Sequence, residues 1–176
     1  MTTDEYLYQT EETTRRRELV GGVVREPPAP YFSHQQLVLK VARVLSDLVE
    51  RRRLGIVAVA PLDVVLDREK NLVLQPDVLF IATERLSIIR NQVWGPPDLV
   101  VEVLSDSTRK YDRDEKLGWY RQYGVRECWL VELRDYSVTI LDFSAGMLRI
   151  HEAKGPDSII SAVLPDSQLT AYDIFL

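Results

Sequence analysis

The sequence predicts an α/β or α+β fold, a mixed central β-sheet with helices packed against it and additional β-hairpins. Three observations carry this. Between Ser33 and Leu54, the residues Leu37, Val38, Val41, Leu45, Leu48 and Val49 recur three and four apart, which makes one apolar stripe on a helix. The run Asp98 to Leu104 is apolar on both faces except at Glu102, the pattern of a strand covered on both sides. Further β-type runs and a second helix follow in alternation, so helices and strands share one layered core.

In chain order, residues 1–16 read as a polar segment with a short helix around Asp4 to Gln9, and residues 17–176 as a single domain. Glu18 to Arg25 places two β-type runs around Gly21-Gly22, a hairpin signal. Pro27-Pro28-Ala29-Pro30 is a stiff loop, since proline lacks the donor that a ladder needs. Ser33 and Gln36 have capping-box spacing at the start of the long helix, and Gly55 stops it. Ile56–Ala60 and Leu62–Leu66 read as strand, broken at Pro61; Asp67 to Asn71 is a turn, and Leu72–Ile81 is another strand region. The second helix spans Asp112 to Tyr123, with Asp112 and Glu115 as a capping box and Gly124 at its C-terminal cap. Glu127–Leu133 is a strand, Ser137–Phe143 and Met147–Ala153 form a hairpin, and the apolar pieces from Leu164 to Leu176 dock on the sheet.

Composition bounds the function. Of 176 residues, 45% are hydrophobic and 28% charged, which excludes a mostly disordered chain. The longest apolar runs are too short to span a bilayer, and residues 1–14 lack the apolar core of a signal peptide, so a cytoplasmic location and no membrane partner are expected. The single cysteine, Cys128, excludes an internal disulfide and a multi-cysteine zinc site. The net charge of −5 argues against a protein that coats nucleic acid by neutralising phosphates, but not against a nuclease whose carboxylates hold a metal. The basic clusters Arg15-Arg16-Arg17, Arg51-Arg52-Arg53 and Arg109-Lys110 read first as solvated faces.

Glu102 is the chemical anomaly, because an ionised carboxylate inside an apolar strand is costly unless it is paired or coordinated. It is either a buried salt bridge or strand-edge residue, or a metal ligand or acid/base group. Asp77, on a separate predicted strand after Gln75-Pro76, is its natural partner: adjacent strands lie about 4.8 Å apart, so two such carboxylates can converge on one hard cation. Asp98 lies four residues from Glu102 on the same strand, roughly 13 Å away, too far to share an ion. Asp63 is a weaker third acid. Lys116, on the helix after the Glu102 strand, offers a positive group, and Tyr120 shares its helix face four residues on. A pair with Asp112, or simple exposure, is the plainer reading of Lys116. His34 near the start of the long helix is either a packing residue or a support for the site. His151 and Trp129 read as structural, and Trp94-Gly95-Pro96-Pro97 as a candidate contact loop or core cover.

The run Pro97 to Thr108, then Tyr111-Asp112-Arg113, Lys116, Tyr120, Gly124-Val125 and Trp129-Leu130-Val131, resembles a bacterial family of putative restriction endonucleases within the PD-(D/E)XK nuclease superfamily. Glu18 to Gly22, His34-Gln35, Pro61 to Val64 and Gln75 to Phe80 fit the same pattern, so the resemblance covers residues 17 to 176. It implies a restriction-endonuclease-like fold and Mg²⁺-dependent hydrolysis of DNA phosphodiesters, with Mn²⁺ as a possible substitute. By resemblance, Asp77 and Glu102 are the metal-binding acids, joined by the Val103 carbonyl, and Lys116 orients water and stabilises charge. Tyr120 positions Lys116 or touches phosphate, and His34 supports the site. The superfamily's lysine belongs two residues after the glutamate, where this chain has Leu104, and Lys116 on the following helix takes its place. Asp106 stands where relatives usually carry proline. The resemblance also implies a nucleic-acid partner and a homodimer or higher homo-oligomer. The alternatives are a non-catalytic binding scaffold that keeps the fold and, more weakly, a hydrolase of another phosphoester.

Overall fold

The computed structural model describes residues 1–8, 16–105 and 111–176, with the side chains of Asp112 and Arg113 outside the description. The expected features at Gln9, Arg15, Asp106 to Thr108 and Arg109-Lys110, the Asp112 cap and the Arg113 side chain therefore lie outside the described residues.

The elements run α1 (Thr3–Leu7), β1 (Glu18–Val20), β2 (Val23–Arg25), α2 (Phe32–Arg52), β3 (Gly55–Val59), β4 (Val64–Asp67), β5 (Leu72–Leu74), β6 (Val78–Ala82), a 3₁₀ turn (Thr83–Ile88), β7 (Val93–Trp94), β8 (Leu99–Leu104), a π-helical turn (Tyr111–Lys116), α3 (Leu117–Gln122), β9 (Glu127–Glu132), β10 (Ser137–Asp142), β11 (Arg149–Lys154) and α4 (Ala171–Phe175). The fold class is α+β, but with two mixed sheets rather than one. The larger has the order β11-β10-β9-β8-β6-β3 and the smaller β2-β1-β5-β4-β7. Two of the expected strand regions divide between the sheets. The chain leaves the larger sheet after β3, passes Pro61 and enters the smaller; it returns past Pro76 to β6. A proline, which has no N–H to extend a ladder, stands at each crossing.

Glu102 sits on β8, buried between antiparallel β6 and parallel β9. Leu99, Val101 and Val103 face α2 and α4, where Leu37, Val41, Leu45, Ala171 and Ile174 close the main core. Val100 and Leu104 face the other way, against Leu72 and Leu74 of β5 and Tyr120 of α3. Glu102 has the parity of Val100 and Leu104, so strand alternation points it between the two sheets.

Local chemistry agrees with most of the turns. Gly21 (φ 57°) and Gly22 (φ 86°) give the β1–β2 hairpin the two positive φ angles of a type I′ turn. Helix α2 begins at Phe32 after Tyr31, with no side-chain cap, so the expected Ser33–Gln36 box is not formed: Ser33 lies inside the first turn. Arg53 (φ 53°), not Gly55, caps its C-terminus. Gly55 is needed for a different reason, since a Cβ there would lie 2.0 Å from the Ile81 carbonyl oxygen across the β3–β6 ladder. The second helix opens as a π turn, and Glu115 accepts from Arg25 at 3.0 Å. Its end is a Schellman motif: Gly124 N–H donates to Arg121 and Val125 N–H to Tyr120. Val38, expected in the core stripe, is only partly buried. The N-terminal segment is less polar in its packing than its composition implies, because Tyr6 is buried against Leu19, Val65 and Val73. Among the described residues, no helix is long and apolar enough to cross a membrane.

Candidate active site

The antiparallel register of β6 and β8 pairs Val78 with Val101. Continuing it by one position sets Asp77 opposite Glu102, and opposed residues point to the same side of a sheet. Both carboxylates are buried, and both meet the guanidinium of Arg16. Nη1 of Arg16 donates to Asp77 Oδ1; Nη2 donates to the Gln75 carbonyl at 2.6 Å and lies 3.5 Å from Glu102 Oε2. Asp77 Oδ2 accepts from the Val103 N–H at 2.7 Å, and His34 Nε2 of α2 is 3.5 Å from the same oxygen. Val103 thus meets the site through its amide.

The other side of Glu102 is held by the segment after β8. Lys116 Nζ donates to Glu102 Oε1 at 3.0 Å, and Tyr120 donates to that same oxygen at 2.5 Å. Tyr120 therefore positions Glu102, where the resemblance leaves a choice between Lys116 and a phosphate. Lys116 is 1% exposed, which excludes simple exposure, and it also meets Glu18 Oε1 at 2.8 Å; the pairing with Asp112 falls on a side chain outside the described residues. Glu18 also accepts from the Gln75 N–H at 2.9 Å and from the Tyr111 hydroxyl at 3.0 Å. The π turn makes this geometry possible. Residues five apart nearly eclipse in a π helix but diverge in an α helix, so Tyr111 and Lys116 both reach Glu18. The Lys116 ammonium lies 5.6 Å from the centre of the Tyr111 ring.

Ionisation follows from these contacts. Burial opposes the Asp77 charge, but Arg16 and His34 outweigh it and hold the carboxyl at about 2. Burial likewise opposes the Glu18 charge, and Lys116 with Arg16 brings it below the usual carboxylate range. Burial lowers His34, yet its contact with Asp77 lifts it above an ordinary imidazole. Burial and the neighbouring Glu102 push the Tyr120 phenol well up, so it stays a donor.

The structure thus brings Asp77, Glu102, Lys116, Tyr120 and His34 together. Sequence reasoning missed the roles of Arg16, Glu18, Gln75 and Tyr111 at the site. Glu18 was legible in principle, as a carboxylate heading an apolar strand. Arg16 was hidden in a triplet that resembles a solvated face. Asp98 is elsewhere, accepting from the Ala82 N–H, Arg85 and Arg126. Asp63 braces Gln75 and Tyr6 at 2.9 and 3.1 Å. His151 contacts the Ser158 carbonyl, Trp129 is core, and Trp94 covers the core cluster around Tyr6.

A hard divalent cation fits this donor set. Among the described residues no group of three or more His, Cys, Asp or Glu side chains could hold a metal. Mg²⁺ needs less, as it is held through one or two carboxylates together with water and phosphate oxygens. Asp77 and Glu102 already converge on one positive charge, that of Arg16.

Relatives share this chain's pattern and shape. "Uncharacterized protein sll1609" of Synechocystis sp. (strain ATCC 27184 / PCC 6803 / Kazusa) is 29% identical over 122 residues, 69% of this chain and 68% of that protein. The fold matches the crystal structure of a "putative nuclease belonging to DUF820" from Anabaena variabilis ATCC 29413, with a TM-score of 0.78 over 99% of this chain and 97% of that one, at 18% identity. The family model described as "Putative restriction endonuclease" matches residues 3–171. The chain belongs to this family, Uma2.

Proposed function

We propose that the protein is a Mg²⁺-dependent endonuclease that hydrolyses DNA phosphodiester bonds. The observation that carries this reading is the convergence of Asp77 and Glu102 on one cation while Lys116 and Tyr120 fix the far oxygen of Glu102. Asp77 and Glu102 would hold the ion, which when bound polarises a phosphoryl oxygen and acidifies a water molecule. Tyr120 and Lys116 hold Glu102 in one orientation. Lys116 also supplies a fixed positive charge beside the scissile group, where negative charge develops. His34 and the Val103 amide orient Asp77 in the same way.

One feature favours the second reading, an inert scaffold. Arg16 and Lys116 already compensate Asp77, Glu102 and Glu18, so the cluster also works as a self-satisfied buried network. Incubation of purified protein with plasmid and single-stranded DNA plus Mn²⁺ separates the two. We expect nicking or cleavage by the wild type and at least about a hundred-fold loss in Asp77→Asn and Lys116→Ala, the scale of removing one transition-state charge partner. Circular dichroism should show both variants folded. Equal activity in all three proteins would mark a contaminant and remove the nuclease reading.

A further inference from the structure

A cavity of about 640 Å³ opens onto Asp77 and the Arg16 that joins it to Glu102, both among its lining residues. Its walls are the Pro27–Pro30 loop, the stripe Val38, Leu39 and Ala42 on α2, and Pro61 beyond β3. Val38 and Ala42 are partly buried at the margin of the main core, and with Gln35 they follow a spacing of three and four along α2. Tyr31 and Phe32 follow this wall in the chain and are 79% and 80% exposed; Leu39 is 63% exposed.

This cleft is poorly suited to a duplex. Among the described lining residues Arg16 is the one cation, against Glu26 and Asp77. Duplex binding draws its affinity from neutralising successive phosphates along a backbone, and these walls do not supply that. They supply instead a mostly apolar concavity of the size that encloses a small planar group. Exposed aromatic side chains stack on bases whose faces are open, which is the case only in an unpaired strand.

We infer that the substrate of this site is an unpaired nucleic-acid strand, with one base seated in the cleft between the Pro27–Pro30 loop and α2 and its phosphodiester over Asp77 and Glu102. The inference rests on the nuclease reading for its chemistry, but its binding can be measured apart from cleavage. The test uses the full chain in Ca²⁺, with a fluorescein-labelled oligodeoxynucleotide as a single strand and as a duplex, followed by anisotropy. The single strand should bind at least about ten-fold tighter than the duplex. Leu39→Asp, and Tyr31→Ala with Phe32→Ala, should each weaken single-strand binding by roughly ten-fold and leave any duplex binding unchanged. A strand of abasic sites should compete poorly. The three substituted residues are exposed and Tyr31 makes no capping bond, so folding is not at stake.

Equal or tighter duplex binding, or wall variants that bind like the wild type, would overturn the inference. So would light scattering that shows Tyr31→Ala with Phe32→Ala dissolving a dimer without touching strand binding, since the patch would then be a protein interface. Cleavage in Mn²⁺ keeps the two readings apart. Duplex cut in preference to single strand sinks the inference and leaves the nuclease. Wall-dependent single-strand binding without any cleavage sinks the nuclease and leaves the cleft assignment.

Discussion

Lys116 ends between Glu102 at 3.0 Å and Glu18 at 2.8 Å, with almost no exposure to solvent. Removing one member of a buried ionic cluster strands the others, at a cost of roughly 3–5 kcal/mol. Lys116→Met should therefore lower stability by about that amount in urea titrations. The double change Lys116→Met with Glu18→Gln should cost less than Lys116→Met alone, because it also removes one stranded anion. Arg16 makes a sharper case. Its guanidinium lies between Asp77 and Glu102, the place proposed for a divalent ion, so on that proposal the guanidinium and the ion would compete. Arg16→Gln should raise Mn²⁺ affinity by about ten-fold, ~1.4 kcal/mol, in calorimetry. Weaker Mn²⁺ binding in the variant would show that Arg16 is no competitor. The metal-free variant should also be more sensitive to acid. Asp77 stands at about 2 in the folded protein against an ordinary value near 3.8, so its contribution is complete above 3.8 and is lost as the pH falls towards 2. Without Arg16 that carboxyl rises, and the acid-unfolding midpoint of the metal-free protein, followed by circular dichroism, should move to higher pH. Residues that are anomalous where they stand were legible from sequence: Glu102 in an apolar strand, and Asp77 after Gln75-Pro76. Arg16 was not, since a guanidinium at the end of a polar segment gives no local sign of the buried acids it reaches.

Glycine at position 55 shows how an element can be read correctly for an incomplete reason. The sequence marks a helix end there, and α2 does end nearby, but Arg53 in the left-handed conformation makes the cap. The constraint on Gly55 comes from β6, whose Ile81 oxygen would meet a Cβ at 2.0 Å, and Ala82 Cα would meet it at 2.9 Å. Both are backbone atoms in a paired ladder and cannot swing aside. Gly55→Ala should cost ~2–3 kcal/mol in thermal or urea unfolding, as other overpacking changes do. A neutral result would mean that β3 can shift along β6. Periodicity was a sound guide to α2 because its stripe repeats over more than three turns. It was a poorer guide to the segment before α3, where a π turn moves Tyr111 onto the face of Lys116. A spacing of three and four assumes an α helix, so the pairing of Tyr111 with Glu18 could not be anticipated from it.

At the scale of the molecule, the split into two sheets decides where the chemistry sits. Glu102 and Asp77 belong to the larger sheet or its border, Glu18 to the smaller, and the π turn with α3 closes over both. Strand patterns alone could not show this, because a strand in either sheet has the same alternation; the crossing at Pro61 was visible only as an interruption, and Leu72–Ile81 read as one strand region across Pro76. The charge distribution then sets how the site can meet a polyanion. The chain carries a net charge of −5, and the cleft offers Arg16 against two acids. Long-range attraction is therefore weak, and affinity must come from contacts made inside the cleft. Each phosphate neutralised on a single strand contributes about −0.7 to the slope of log affinity against log salt. With so few cations at the cleft the slope should lie between about −1 and −2. Anisotropy titrations of a labelled single strand across a salt series measure it directly. A slope steeper than about −5 would mean that a basic surface away from the cleft carries the binding, and the apolar walls would then be incidental to it.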